Sequence, residues 1–153
     1  MIRAAILLSV AMVGCSGAAA RWVEEAAAAN ARADAFIREG QPDRAGHLLE
    51  QLASKPAPAG VADQDRLAVL QDAYARLAAL ALEDRRPAEA VQYADAGLAL
   101  GEHHDVFASS LHTVRGRALE SLGRDAEAVR EYEAALLIAE SLLAQALSDG
   151  GGR

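Results

Sequence analysis

Gly123-Arg124-Asp125-Ala126-Glu127-Ala128-Val129-Arg130-Glu131-Tyr132-Glu133-Ala134-Ala135-Leu136-Leu137-Ile138 carries a pattern of small and apolar residues that returns twice upstream. Its skeleton is Gly123, Ala128, Tyr132, Ala135, Leu136 and Ile138. Arg85, Ala90, Ala94, Gly97, Leu98 and Leu100 repeat the same intervals, and Gly40, Ala45, Leu49 and Leu52 repeat the first part of them. Steps of four and three residues put these side chains on one face of a helix, and the residue at the head of each motif marks the turn before it. The pattern predicts an all-α chain: an α-solenoid of about three antiparallel helix pairs, each burying its stripe only against its neighbours. Arrays of this kind present a surface to a partner, so the chain reads as a binding protein rather than a catalyst.

Outward from these motifs the remaining helices fall into place. Trp22, Ala26, Ala29, Ala33 and Phe36 form one stripe and predict a first helix from Trp22 to about Glu39. Gly40 ends it, and Pro42 opens a second with Ala45, Leu48, Leu49 and Leu52 inward. Ser54 to Gly60 holds two prolines and reads as an extended link. Asp63 is the expected N-cap of a third helix with Leu67, Leu70, Tyr74, Leu77, Ala78 and Ala81 inward. Pro87 opens the fourth, where Ala90, Val91, Ala94, Gly97 and Leu98 allow close contact. Leu111, Val114, Ala118, Leu119 and Leu122 stripe the fifth. The sixth runs from about Asp125 to Leu147 with Ala128, Tyr132, Ala135, Leu136, Ala139 and Leu143 expected inward, before a flexible tail at 149–153.

Paired helices with these small residues resemble tetratricopeptide repeats, a family with a 34-residue helix-turn-helix unit. The resemblance covers Ala26 to Leu142 in three copies, 26–59, 71–104 and 109–142, within a repeat domain at 22–148. In the third copy Gly116, Gly123, Ala128, Tyr132, Ala135 and Leu136 hold the family's signature places, while His112, Arg115 and Leu119 depart from its Trp, Leu and Tyr. The second matches at Tyr74, Leu77, Ala78, Ala90 and Leu98 and has Arg85 where glycine is usual. The first keeps Gly40 and Ala45. Ala45, Ala90 and Ala128 lie 45 and 38 residues apart, so links of about eleven and four extra residues separate the units. The resemblance implies a groove lined by the first helix of each pair. Carried onto this chain, its contact positions are Asn30, Asp34, Ile37 and Arg38; Asp72, Ala75, Ala79, Leu82 and Glu83; and Ser110, Thr113, Arg117, Glu120 and Ser121. The Lys and Asn with which some members clamp a peptide carboxylate are not reproduced, so an extended or helical segment over Ile37, Ala75, Ala79 and Leu82 is the expected ligand.

At the amino terminus Arg3 precedes a ten-residue apolar run, Ala4 to Val13, too short to span a bilayer and of the length found in secretory signals. The run ends in Met12-Val13-Gly14-Cys15, which resembles the lipobox of bacterial lipoproteins, with Met12 in place of the usual Leu. That resemblance implies a signal peptide at 1–14, lipidation of Cys15 as the mature amino terminus, and an anchor and linker at 15–21. Ser16, where Asp would retain a lipoprotein at the inner membrane, favours an outer-membrane destination on the periplasmic side. Ala18-Ala19-Ala20 offers ordinary signal peptidase a competing site, which would release a soluble periplasmic protein.

The chain has 153 residues, a net charge of −7, 4% aromatic residues and one lysine, Lys55. Its arginines are scattered among acids with no basic stripe and little stacking surface, which excludes nucleic acid as the expected partner. With Cys15 as the sole cysteine no internal disulfide can form. No phosphate loop, His-Glu-x-x-His helix or nucleophile elbow is present, so neither enzyme activity nor a cofactor is expected. Glu102-His103-His104-Asp105, with His112, is the one cluster with metal-binding residue types. Adjacent histidines diverge in most backbone conformations, so a polar turn is expected there and no metal. The expected role is an envelope lipoprotein acting as an interaction scaffold, in assembly or secretion machinery. The alternative is a soluble periplasmic repeat protein that self-associates through its open end, Leu142 to Leu147.

Overall fold

A computed structural model of the chain describes residues 10–101 and 105–150, with side chains from residue 17 onward. Six helices and no strand occur among the described residues: α1 (Val10–Arg38), α2 (Pro42–Ser54), α3 (Asp63–Glu83), α4 (Pro87–Leu98), α5 (Val106–Ser121) and α6 (Asp125–Gly150). The helix-pair packing is consistent with an α-solenoid-like arrangement. By contacts the chain divides into two compact units, one ending at Val69 and one beginning at Leu70. Most of the signal segment, His103, His104 and residues 151–153 lie outside the described residues, and so does the side chain of Cys15.

The boundaries follow local chemistry. Three helix ends share one turn. Gly40, Arg85 and Gly123 take φ of 70°, 57° and 73°, and the next residue's N–H returns to the carbonyl five positions back, Gln41 to Phe36, Arg86 to Ala81 and Arg124 to Leu119, at 2.8, 2.8 and 2.9 Å. This is the Schellman closure, which satisfies carbonyls that a helix end leaves open. Two residues past each turn the next helix begins, at Pro42, Pro87 and Asp125. The motif found in the sequence is thus a turn followed by the first buried alanine, and Ala45, Ala90 and Ala128 are all fully enclosed or nearly so. Between α2 and α3, Lys55 is extended and Gly60 takes a positive φ.

Some boundaries differ from expectation. α1 begins at Val10, twelve residues before Trp22, so residues 15–21 belong to the same helix. Val10 to Arg21 is rich in alanine and free of proline, and nothing in it stops a helix. Asp63 is the first residue of α3 itself, where its charge still complements the helix dipole.

In the first unit α1 packs on α2. Trp22, Ala26, Ala33, Ala45, Leu49 and Leu52 are buried, and the Arg44 guanidinium stacks over Phe36 at 4.2 Å. In the second unit one cluster joins Ala81, Ala90, Val91, Ala118, Leu119 and Ala128. Another joins Ala75, Ala78, Ala94 and Leu111. Alanine dominates because the backbones approach closely. At Gly97 a β-carbon would stand 2.7 Å from a Leu111 methyl and 3.0 Å from Tyr74 Cβ, and at Gly116 it would stand 2.6 Å from the Tyr132 ring. Leu111 is fully enclosed, so a side chain at 97 would have to push its methyls and Tyr74 aside where α4 lies against α5. Gln71, buried in the same unit, donates to the Gly97 and Gly101 carbonyls at 3.4 and 3.3 Å.

The register of α6 corrects the expectation. Its buried residues are Ala128, Ala135 and Ile138, whereas Leu136, Ala139 and Leu143, expected inward, are exposed. Ala135, Leu136, Leu137 and Ile138 offer two possible faces, and contact with α5 selects the one through Ala135 and Ile138. Ser109 Oγ reaches the Ala135 carbonyl at 3.2 Å from that helix. Leu122, expected in the stripe of α5, caps its C-terminal end and is exposed.

Candidate protein-binding surfaces

In the first unit α1 carries Asn30, Asp34, Ile37 and Arg38. Asn30 and Asp34 are half-buried, while Ile37 and Arg38 are exposed in the last turn, where the cation suits the negative end of the helix dipole. A half-open cleft of about 350 Å³ lies between α1 and α2, lined on α1 by Trp22, Glu25, Ala26, Ala28, Ala29 and Arg32, and on the α2 side by Leu48, Gln51, Leu52 and Lys55. Lys55 donates to Glu25 at 2.5 Å, and this bond holds the Glu25 carboxyl below the usual carboxylate range. Trp22 is 3% exposed, and its indole nitrogen has no acceptor among the described residues.

In the second unit the expected groove residues separate by burial. Ala75 is only 8% exposed and belongs to the core cluster with Ala78, Ala94 and Leu111, so it does not line an open surface. Ala79 is half-buried, and Leu82 packs against the other cluster. The apolar centre expected over Ala75, Ala79 and Leu82 is therefore largely spent in the core, because α4 and α5 press on that side of α3. Asp72 pairs with Arg76 one turn on, at 3.0 Å. On α5, Thr113, Arg117 and Glu120 are exposed. Thr113 turns its hydroxyl back to the Ser109 carbonyl at 2.9 Å, and Glu120 accepts from the Tyr132 hydroxyl at 2.9 Å. Burial first, and then that bond, raises the Tyr132 pKa.

α6 holds the surface that the stripe assignment missed. Val129, Leu136, Leu137, Leu143 and Leu147 are each more than half exposed. Val129, Leu136 and Leu143 recur every seven residues, and Ala139 and Ala146 follow the last two by three, whereas Tyr132, at the same offset from Val129, is half-buried against α5. This is the spacing of a helix that packs along a second helix. The sequence signal was present as the heptad step, but it competed with an equally apolar alternative one residue along.

Asp105, from the histidine-bearing loop, caps α5 by accepting from the backbone N–H of Phe107 and Ala108 at 3.0 and 2.9 Å. His112 Nδ1 lies 2.8 Å from Glu131 across the α5–α6 contact. Among the described residues no three His, Cys, Asp or Glu side chains converge as metal ligands, and no helix is long and apolar enough to cross a membrane. No protein-family model matches the chain, and no curated protein matches it.

Proposed function

We propose that this chain is a non-catalytic interaction scaffold of the bacterial cell envelope, a tetratricopeptide-type array tethered through Cys15 that holds a partner protein in assembly or secretion machinery. The observation that carries the reading is the bare heptad row of α6, an apolar helix face of the kind that receives an amphipathic segment. Within the same unit the exposed Thr113, Arg117 and Glu120 on α5 add a polar surface. The lipid tether rests on the Met12 to Cys15 motif and the position of the only cysteine.

Two measurements test it. Cells fed a clickable fatty acid should label the wild-type protein and not Cys15→Ala, and an unlabelled wild type removes the tether. A photocrosslinker placed at Leu143 should capture one defined partner protein, with capture lost in Leu136→Glu. Capture that survives that change removes α6 from the interface. The exposed Leu143 and Leu147 also favour a second reading, in which the same row pairs with another copy of the chain. Mass measurement across concentration separates the two, because a sharp monomer excludes self-association.

A further inference from the structure

From Ala139 to Gly150 no residue of α6 is buried, which leaves about 18 Å of helix, at the α-helical rise, beyond the cover of α5. Leu136, Leu137, Leu143 and Leu147 stand exposed on this stretch and on the turn before it. Glu140 lies among them. Residues three and four positions apart are neighbours on a helix surface, and those around Glu140 are Leu136, Leu137, Leu143 and Ala144, all exposed. The places from which a helix supplies its own counter-ion are thus all apolar. Glu133 repeats the carboxylate one heptad earlier, and it too is exposed. Neither Glu133 nor Glu140 has an ion pair or hydrogen bond among the described residues.

A helix that covers the leucines must cover Glu140 as well. A carboxylate enclosed without a cation loses its hydration and receives nothing for it, so the occupant has to bring a lysine or an arginine. A second copy presenting the same face brings none. Residues 134–150 contain two acids, Glu140 and Asp149, and no basic residue, so a two-fold pairing of this face sets like charge against like charge. We propose that α6 receives a basic amphipathic helix of a different protein, with apolar residues laid on Leu136, Leu143 and Leu147 and a lysine or arginine set against Glu140. A second cation one heptad away on that helix reaches Glu133, as flanking charges do in paired helices. This rests on the reading of α6 as the interaction surface, and it selects a different protein over another copy of the chain.

The full chain is titrated into nanomolar amounts of two labelled synthetic peptides, and binding is read by fluorescence anisotropy. One peptide has three Leu-Ala-Gln-Leu-Lys-Gln-Lys heptads, and the other has Glu in place of every Lys. Saturable binding of the lysine peptide is expected, with the glutamate peptide at least tenfold weaker. Because the whole chain is acidic, with a net charge of −7, the site is separated from general attraction by two variants. Glu140→Lys is expected to weaken the lysine peptide at least tenfold and to strengthen the other, whereas Glu24→Gln, at an exposed carboxylate on α1, leaves both unchanged. Leu143→Ala is expected to weaken the lysine peptide at least threefold. Saturation by neither peptide, equal affinity for both, or a lysine preference that Glu140→Lys leaves intact overturns the proposal. So does a wild-type dimer that Leu136→Glu dissolves. The scaffold reading fails separately, on the absence of any partner captured at Leu143.

Discussion

Arg85 occupies the place that Gly40 and Gly123 hold in the sister turns, with the same left-handed backbone and the same two hydrogen bonds. A β-carbon in that conformation costs roughly 1–2 kcal/mol, and glycine returns part of the difference through the entropy of the unfolded chain. Arg85→Gly is therefore expected to stabilise the protein by about 0.5–1 kcal/mol, read as a higher urea midpoint at unchanged slope. A loss of stability would mean that the Arg85 side chain makes a contribution its geometry does not reveal. Gly97 is the opposite case, since its φ is ordinary and its smallness alone matters, with Leu111 and Tyr74 occupying the space where a side chain would be. Both glycine roles were legible as positions in the repeated motif. The turn at Arg85 was legible in the same way, but that it closes with the left-handed backbone and the same hydrogen bonds despite its side chain was not, because those depend on backbone geometry and not on residue type.

α6 shows how one helix can be identified correctly and oriented wrongly. Its length and apolar content made it unmistakable, yet Leu136, Leu137 and Ile138 stand in succession and only one can point to α5. Ile138 does so at 6% exposure, while Leu137 remains 65% exposed. Ile138→Ala is expected to cost about 2–4 kcal/mol and Leu137→Ala less than about 0.5 kcal/mol, as core truncations and surface substitutions do. Urea unfolding of the two variants decides the register, and equal losses would refute it. α5 ends at Ser121, after 16 residues, whereas α6 has 26, so α6 carries more apolar surface than α5 alone can cover.

Within the second unit, charge ties three helices together. Arg115 on α5 donates to Asp95 on α4 at 2.6 Å and also to Glu131 on α6, which His112 approaches from the other side. Arg115 and Glu131 are 21% and 15% exposed, sheltered enough for the loss of one partner to matter. Arg115→Met keeps much of the stem and removes the donors, leaving Glu131 with His112 alone. A loss of about 1–3 kcal/mol is expected, measured by urea unfolding and persisting in high salt because the pair is screened less than a surface one. No signal in the sequence marked this network, since Arg115 entered only as a departure from the repeat pattern.

Helix number, pair turns and buried alanines could be read from residue order because each depends on a few neighbours: a proline that opens a helix, a glycine that closes one, an alanine at the crossing. The burial of Ala75, the bare row on α6 and the cleft between α1 and α2 could not. They depend on which helix arrives beside a given face and how far it extends, and an apolar residue has the same character in the chain whether another helix covers it or water does.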